Sequence, residues 1–277
     1  ENIFQVEEGK DGLPNGISVT QLEERISNGS ITYATAKKRT AERLKAAAAD
    51  DRYFDAKNKS IYRGRAASKY GKDATPNTQK AKDPLGVKMM AAVDQLMEEC
   101  DVLARKFKIP GLRGTQTLSK SSRASANMGD GVMGINMAYM RNIFQNGRQE
   151  KSNWKQGDGR DGLPFGSTSF FEDPLDRMRC IFFHEFGHHV HQIKGLKASD
   201  EYRAGKYRGK WERLIVSKWN STAGDGAKSW RETGPSQYGR TKGVEWFAEN
   251  FALWAMRRDD LLADDFKTLI KDILGDD

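Results

Sequence analysis

From Asp83 onward, apolar residues recur every three or four positions: Val87, Met90, Val93, Met97, Cys100, Ala104 and Phe107. That spacing draws one stripe along a helix of about 24 residues, opened by Asp83-Pro84 and ended by Pro110-Gly111. Upstream, residues 1–66 read as thinly hydrophobic helices. Thr20-Gln21-Leu22-Glu23 has capping-box spacing, Gly29 is placed to stop that helix, and a second covers Thr32 to about Ala48. The polar stretch SKYGKDATPNTQKAKDP (68–84) reads as a linker, dividing a helical N-terminal region, 1–83, from a main domain, 84–277.

Beyond Pro110-Gly111 the period shortens. Strand-like pieces fall at 112–118, 121–127 and 131–137, and MGDG between the last two is hairpin-turn chemistry. A glycine-rich polar excursion over about 145–172 reads as a surface loop or lid. Asp173-Pro174 then repeats the helix-start signal, and Gly195 is placed to close that helix. Thr241 is positioned to cap a helix over 242–258, with Val244, Phe247, Ala248, Phe251, Trp254 and Ala255 on the helical period. An acidic helix near 260–274 ends the chain. The expected class is α+β, helices packed on a small mixed sheet. KDGLPNG (10–16) echoes RDGLPFG (160–166), which reads as two similar surface turns rather than a duplicated domain.

The 277 residues suit one large domain, or a catalytic domain with an appendage. No apolar run approaches the roughly 18–20 residues of a membrane helix. No signal-peptide core is visible, and the start at Glu1 reads as a processed or excised fragment. The compartment is therefore left open, cytoplasmic and particle-associated locations both being compatible. Cys100 and Cys180 are too few for a disulfide framework. The net charge of +8 invites a nucleic-acid reading. Between Ile193 and Asn220, eight basic residues face three acidic ones, with Tyr202, Tyr207 and Trp211 interleaved. A solvated connecting region explains that composition more simply, and no nucleic-acid motif supports the alternative.

The chemistry concentrates elsewhere. All four histidines, His184, His188, His189 and His191, lie in CIFFHEFGHHVHQIKG (180–195). His184-Glu185-Phe186-Gly187-His188 is an HExxH sequence. Positions i and i+4 share a helical face about 6 Å apart, so two imidazoles can converge on one zinc ion per chain. Glu185, beside the first ligand, can take a proton from a zinc-activated water as it attacks a carbonyl. His191 is about 10 Å of helical rise beyond His184, and His189 points about 100° away, so both are expected on the surface or behind the ligands. The third ligand is then a carboxylate. Glu245 and Glu249 stand one turn apart among Trp246, Phe247, Phe251 and Trp254, where a buried carboxylate needs a partner. Glu245 is assigned to the metal, and Glu249 to holding a ligand histidine by its other ring nitrogen.

HEFGH followed by YGRTKGVEWFAENFALW resembles the lethal factor-type zinc metallopeptidases of the gluzincin class, the group that includes the anthrax toxin protease domain and the clostridial Pro-Pro endopeptidases. The likeness is specific over 184–188 and 238–249, architectural over about 84–183, and absent over 1–83. It implies a zincin-like domain, a peptide or protein substrate, Glu245 as third zinc ligand, and Tyr238 as a hydrogen-bond donor to the developing oxyanion. It also implies an edge strand that pairs with substrate, placed at Val132, Met133, Gly134, Ile135 and Asn136; an internal strand is the alternative for those residues. The chain departs from the family in its 145–172 excursion and its basic connector, which bear on substrate preference. The leading reading is a zinc-dependent endopeptidase. A second, from another class, is a structural or assembly protein whose zincin-like domain is self-processing or silent, such as a bacteriophage particle protein cut from a polyprotein.

Overall fold

The computed structural model describes residues 6–48, 83–112, 114–118, 126–129, 131–146, 162–197, 233–241 and 243–274. These are mostly helical, with one small mixed sheet: α1 (Val19–Ser27), α2 (Tyr33–Ala48), α3 (Pro84–Lys106), β1 (Gly114–Thr117), β2 (Ala126–Gly129), β3 (Val132–Ile135), α4 (Met137–Asn146), α5 (Pro174–Lys197), α6 (Gly243–Ala255) and α7 (Asp264–Leu274). Among them, no helix is long and apolar enough to cross a membrane. All of the expected linker (68–84) but its last two residues, and the basic stretch (193–220) from 198 onward, lie outside the described residues.

The chain forms two compact units, Glu1–Ser152 with Phe171–Phe182, and Asn153–Phe170 with Phe183–Asp277. The division expected at 83/84 is not the one found, because α1 and α2 pack on α3 within the first unit. Helix α3 starts as its sequence directs: Asp83 accepts from the Leu85 N–H at 3.0 Å, with Pro84 in the first turn. Its burial is wider than one stripe, since every residue from Met89 to Met97 is buried. The acidic residues on it are matched by arginines. Arg43 reaches Asp94 at 2.6 Å and Glu98 at 2.9 Å, and Arg179 reaches Glu99 at 2.6 Å. Helix α1 is capped by Ser18 and Gln21 rather than by Thr20 and Glu23; Ser18 Oγ accepts from Gln21 N, and Gln21 returns the bond to Ser18 N.

The sheet corrects the edge-strand expectation. Its order is β1-β3-β2, with β3 parallel to β1 and antiparallel to β2. Val132, Met133, Gly134 and Ile135 therefore occupy the central strand, their backbone groups already paired on both sides, and Asn136 is buried behind them. A central strand has no free ladder to offer a substrate. The hairpin turn does fall at MGDG: Gly129 pairs with Val132, and Gly131 takes the left-handed φ of 74° that a tight turn needs. Residues 137–146, with 137 expected to end a strand and 145–146 to open a loop, form α4, with Met137, Met140 and Ile143 buried at spacings of three.

In the second unit, α6 is buried along almost its whole length, through Trp246, Phe247, Phe251 and Leu253. Phe266 of α7 sets its ring edge-on to Trp246 at 5.8 Å and to Phe247 at 5.5 Å. Buried Asn250 ties the two helices together, donating to Trp246 O at 2.8 Å and accepting from Ala263 N at 3.0 Å.

Candidate metal centre

Helix α5 continues past Gly195 to Lys197, and its histidine segment falls in the second unit. Asp173 opens the helix, accepting from Leu175 N at 2.8 Å and Asp176 N at 3.2 Å. Gly187, inside the HExxH sequence, lets α6 come close: a Cβ there would lie 3.1 Å from the Phe251 ring. Phe186 packs on the same ring at 6.3 Å. These contacts bring the Glu245 face of α6 against the His184–His188 face of α5.

His184, His188 and Glu245 form a group whose ligand atoms all lie within 4.8 Å of one another. His184 Nε2 and His188 Nε2 stand 3.1 and 3.3 Å from the same oxygen, Glu245 Oε2. The two imidazoles meet edge to face at 4.9 Å. On its other side, His184 Nδ1 lies 3.0 Å from Glu249 Oε1. With Nδ1 donating to Glu249, Nε2 is the nitrogen turned to Glu245, and it becomes the one open to a metal once its own proton is displaced.

Glu249 is anchored heavily. Its Oε2 accepts from Ser167 N at 2.7 Å, from the Ser167 hydroxyl and from Ser236 Oγ at 2.6 Å. Burial pushes its carboxyl up, but hydrogen bonds from His184, Ser167 and Ser236 outweigh burial and hold it below the usual range. The same competition governs Glu245, which hydrogen bonds from His184 and His188 hold well below that range despite burial. Among the protein groups alone, burial works against charge on His184, but its bonds to Glu245 and Glu249 prevail and push it up to about 10. Glu185 behaves oppositely. Burial raises its carboxyl and the neighbouring His184 and His188 offset this only in part. A raised carboxyl is suited to trading a proton near neutral pH.

Tyr238 borders the group, its ring 5.9 Å from that of His184 and 5.9 Å from that of Phe165. Burial and the carboxylates of Glu245, Glu185 and Glu249 push its hydroxyl well above its ordinary range, and that hydroxyl hydrogen-bonds Glu245. It stays a proton donor at any ordinary pH. His189 is fully buried against Phe186 at 5.4 Å rather than exposed, and His191 packs on Phe247 at 5.6 Å; neither joins the group. Ser167, Ser236 and Phe165 carry no mark in the sequence beyond sitting in turns. The RDGLPFG echo located one of those turns without saying what it holds.

The donor set suits zinc. Two imidazole nitrogens and one carboxylate oxygen turn to a common point, with side chains 11%, 18% and 15% exposed for His184, His188 and Glu245. Three carboxylates, Glu185, Glu245 and Glu249, crowd two imidazoles, so a divalent cation would balance charge that the protein leaves uneven. No protein-family model, curated protein or solved structure matches the chain, and the centre stands on its own geometry.

Proposed function

We propose that this chain is a zinc-dependent endopeptidase of gluzincin type with a zincin-like domain, holding the ion through His184, His188 and Glu245. The observation that carries the reading is the single oxygen of Glu245 standing 3.1 and 3.3 Å from the Nε2 atoms of both HExxH histidines, from a helix far along the chain. A bound zinc ion supplies a Lewis acid that brings the pKa of water near 7 and polarises a carbonyl. The protein's own groups divide the remaining work. Glu185 takes the proton of the attacking water on its raised carboxylate and passes it to the leaving amine. Tyr238 donates its hydroxyl proton in a hydrogen bond to the oxyanion as the carbonyl carbon becomes tetrahedral. Glu249 holds His184 in the ligating tautomer. The partial exposure of the three ligands favours a centre that admits substrate over a closed structural one.

The test is digestion of a complex peptide library by the zinc-loaded protein and by Glu185→Gln, with new termini read by mass spectrometry. Cleavage by the wild type alone, with aligned cut sites, is the expected outcome. Equal absence of cleavage from both, with zinc bound, would transfer the centre to a silent or self-processing domain.

A further inference from the structure

The sequence between Gly234 and Thr241 carries Tyr238, yet it has no regular secondary structure to hold the ring in place. What fixes it is a set of bonds that lead back to one carboxylate. The Tyr238 N–H donates to Phe165 O at 2.8 Å, and the Gln237 N–H to Pro164 O at 3.0 Å. The Tyr238 carbonyl accepts from Thr241 N at 3.0 Å and from Thr241 Oγ1 at 2.6 Å. Both segments of this pairing are then tied to Glu249. Ser167 does so from the 162–170 side and Ser236 from the tyrosine side. Ser236 is fully buried and uses its hydroxyl twice, accepting from Gly239 N at 3.0 Å while donating to Glu249 Oε2 at 2.6 Å. Gly239 completes the fit, because a Cβ there would stand 3.4 Å from the Glu249 stem and 3.3 Å from Ser236 Oγ.

We propose that Ser236 is a positioning residue for the reaction: its hydroxyl bridges the Gly239 N–H to Glu249 and so sets Tyr238 against the metal centre, coupling the oxyanion donor to the carboxylate that orients His184. This rests on the zinc-peptidase reading. Because Ser167 places two donors of its own on the same Glu249 oxygen, loss of the Ser236 bond leaves the His184 tether standing. The metal side and the tyrosine side of the network therefore separate on substitution. A hydroxyl that merely braced Glu249 would not separate them.

The experiment is a double-mutant cycle of Ser236→Ala and Tyr238→Phe on the zinc-loaded protein, with zinc affinity measured by chelator competition in parallel. The expected result is that Ser236→Ala lowers kcat about tenfold or more with KM nearly unchanged, that the double variant is no slower than Tyr238→Phe alone, and that zinc affinity moves less than about threefold. Additive losses in the cycle would overturn the proposal, as would a drop in zinc affinity matching that of Glu249→Gln. A second readout does not depend on turnover: protein grown with 3-fluorotyrosine, its Tyr238 resonance assigned by loss in Tyr238→Phe. In zinc-loaded Ser236→Ala that 19F line moves toward the position of an exposed tyrosine; an unmoved line contradicts the proposal. Should the wild type cleave nothing, the zinc-peptidase reading fails, while the 19F line still decides the placement of Tyr238.

Discussion

Helix α5 carries two buried charged groups five positions apart, Arg179 and His184, and the molecule treats them in opposite ways. Around Arg179 every demand is met from the chain itself. The guanidinium donates to Glu99 at 2.6 and 3.0 Å, to Asp176 and to Ile17 O at 2.8 Å, and Gly16 closes over it where a Cβ would come within 2.6 Å of the guanidinium. The Arg179–Glu99 pair is 5% and 0% exposed. Around His184 and His188 the carboxylates outnumber the cations, the ligand atoms share one focus, and the side chains keep some access to solvent. A buried ion pair that neutralises itself is architecture. A cluster whose charge an ion from outside would balance, and that would leave such an ion reachable, is a candidate site.

Four substitutions or conditions set the two groups against each other. The largest effect belongs to Glu185→Gln, which removes the proposed general base while leaving all three proposed ligands. Turnover is expected to fall by about 10²–10⁴-fold with zinc content unchanged, read by steady-state cleavage and metal analysis of the same sample. Next comes Glu99→Gln, which removes the buried charge paired with Arg179 and leaves the guanidinium Asp176 and Ile17 O. It is expected to destabilise the fold by about 3–5 kcal/mol in urea denaturation without altering zinc stoichiometry, whereas loss of zinc from that variant would join the two clusters into one. Glu249→Gln lies lower on the scale. It is expected to weaken zinc about 10–100-fold in chelator competition, because the His184 ring loses its tether.

The remaining effect is one of pH. Zinc has to displace the Nε2 proton of His184, which the carboxylates hold up to about 10, so zinc affinity is expected to tighten by about tenfold per pH unit between pH 6 and 9. The sign for stability follows from the same shift. In chelator-treated protein, the contribution of a histidine raised from 6.5 to about 10 is complete below pH 6.5 and is lost as pH rises toward 10. Denaturation curves of the chelated protein at pH 6 and pH 9 check this, and added zinc should flatten the difference. The Arg179 pair offers no comparable slope in that window, since an arginine raised from 12.5 keeps its charge throughout.

How much a residue discloses by its place in the sequence depends on how local its physics is. Helix α3 is readable because Asp83-Pro84 and a stripe of spacing three and four are local signals. The first cap lies two residues ahead of its expected place, because Ser18-Gln21 and Thr20-Glu23 have the same spacing and only the chain's path chooses between them. Strand β3 can be located from its own residues, but whether it lies at an edge depends on a parallel partner, β1, that those residues do not specify. Helix α4 hides behind the glycines of GVMGINM. At the candidate centre, His184 and His188 announce themselves by spacing, and Glu245 by being a carboxylate among aromatics. Ser167 and Ser236 do not, because a serine hydroxyl acquires meaning only from the group it meets across 82 and 13 residues of chain.

The central claim is that the ion is held by His184, His188 and, from a separate helix, Glu245. Metal analysis after equilibrium dialysis of the wild type and of Glu245→Gln against buffered zinc tests it most directly. One zinc per wild-type chain, and a large loss from Glu245→Gln with its fold intact by circular dichroism, is the predicted result. Full zinc retention in Glu245→Gln would contradict it.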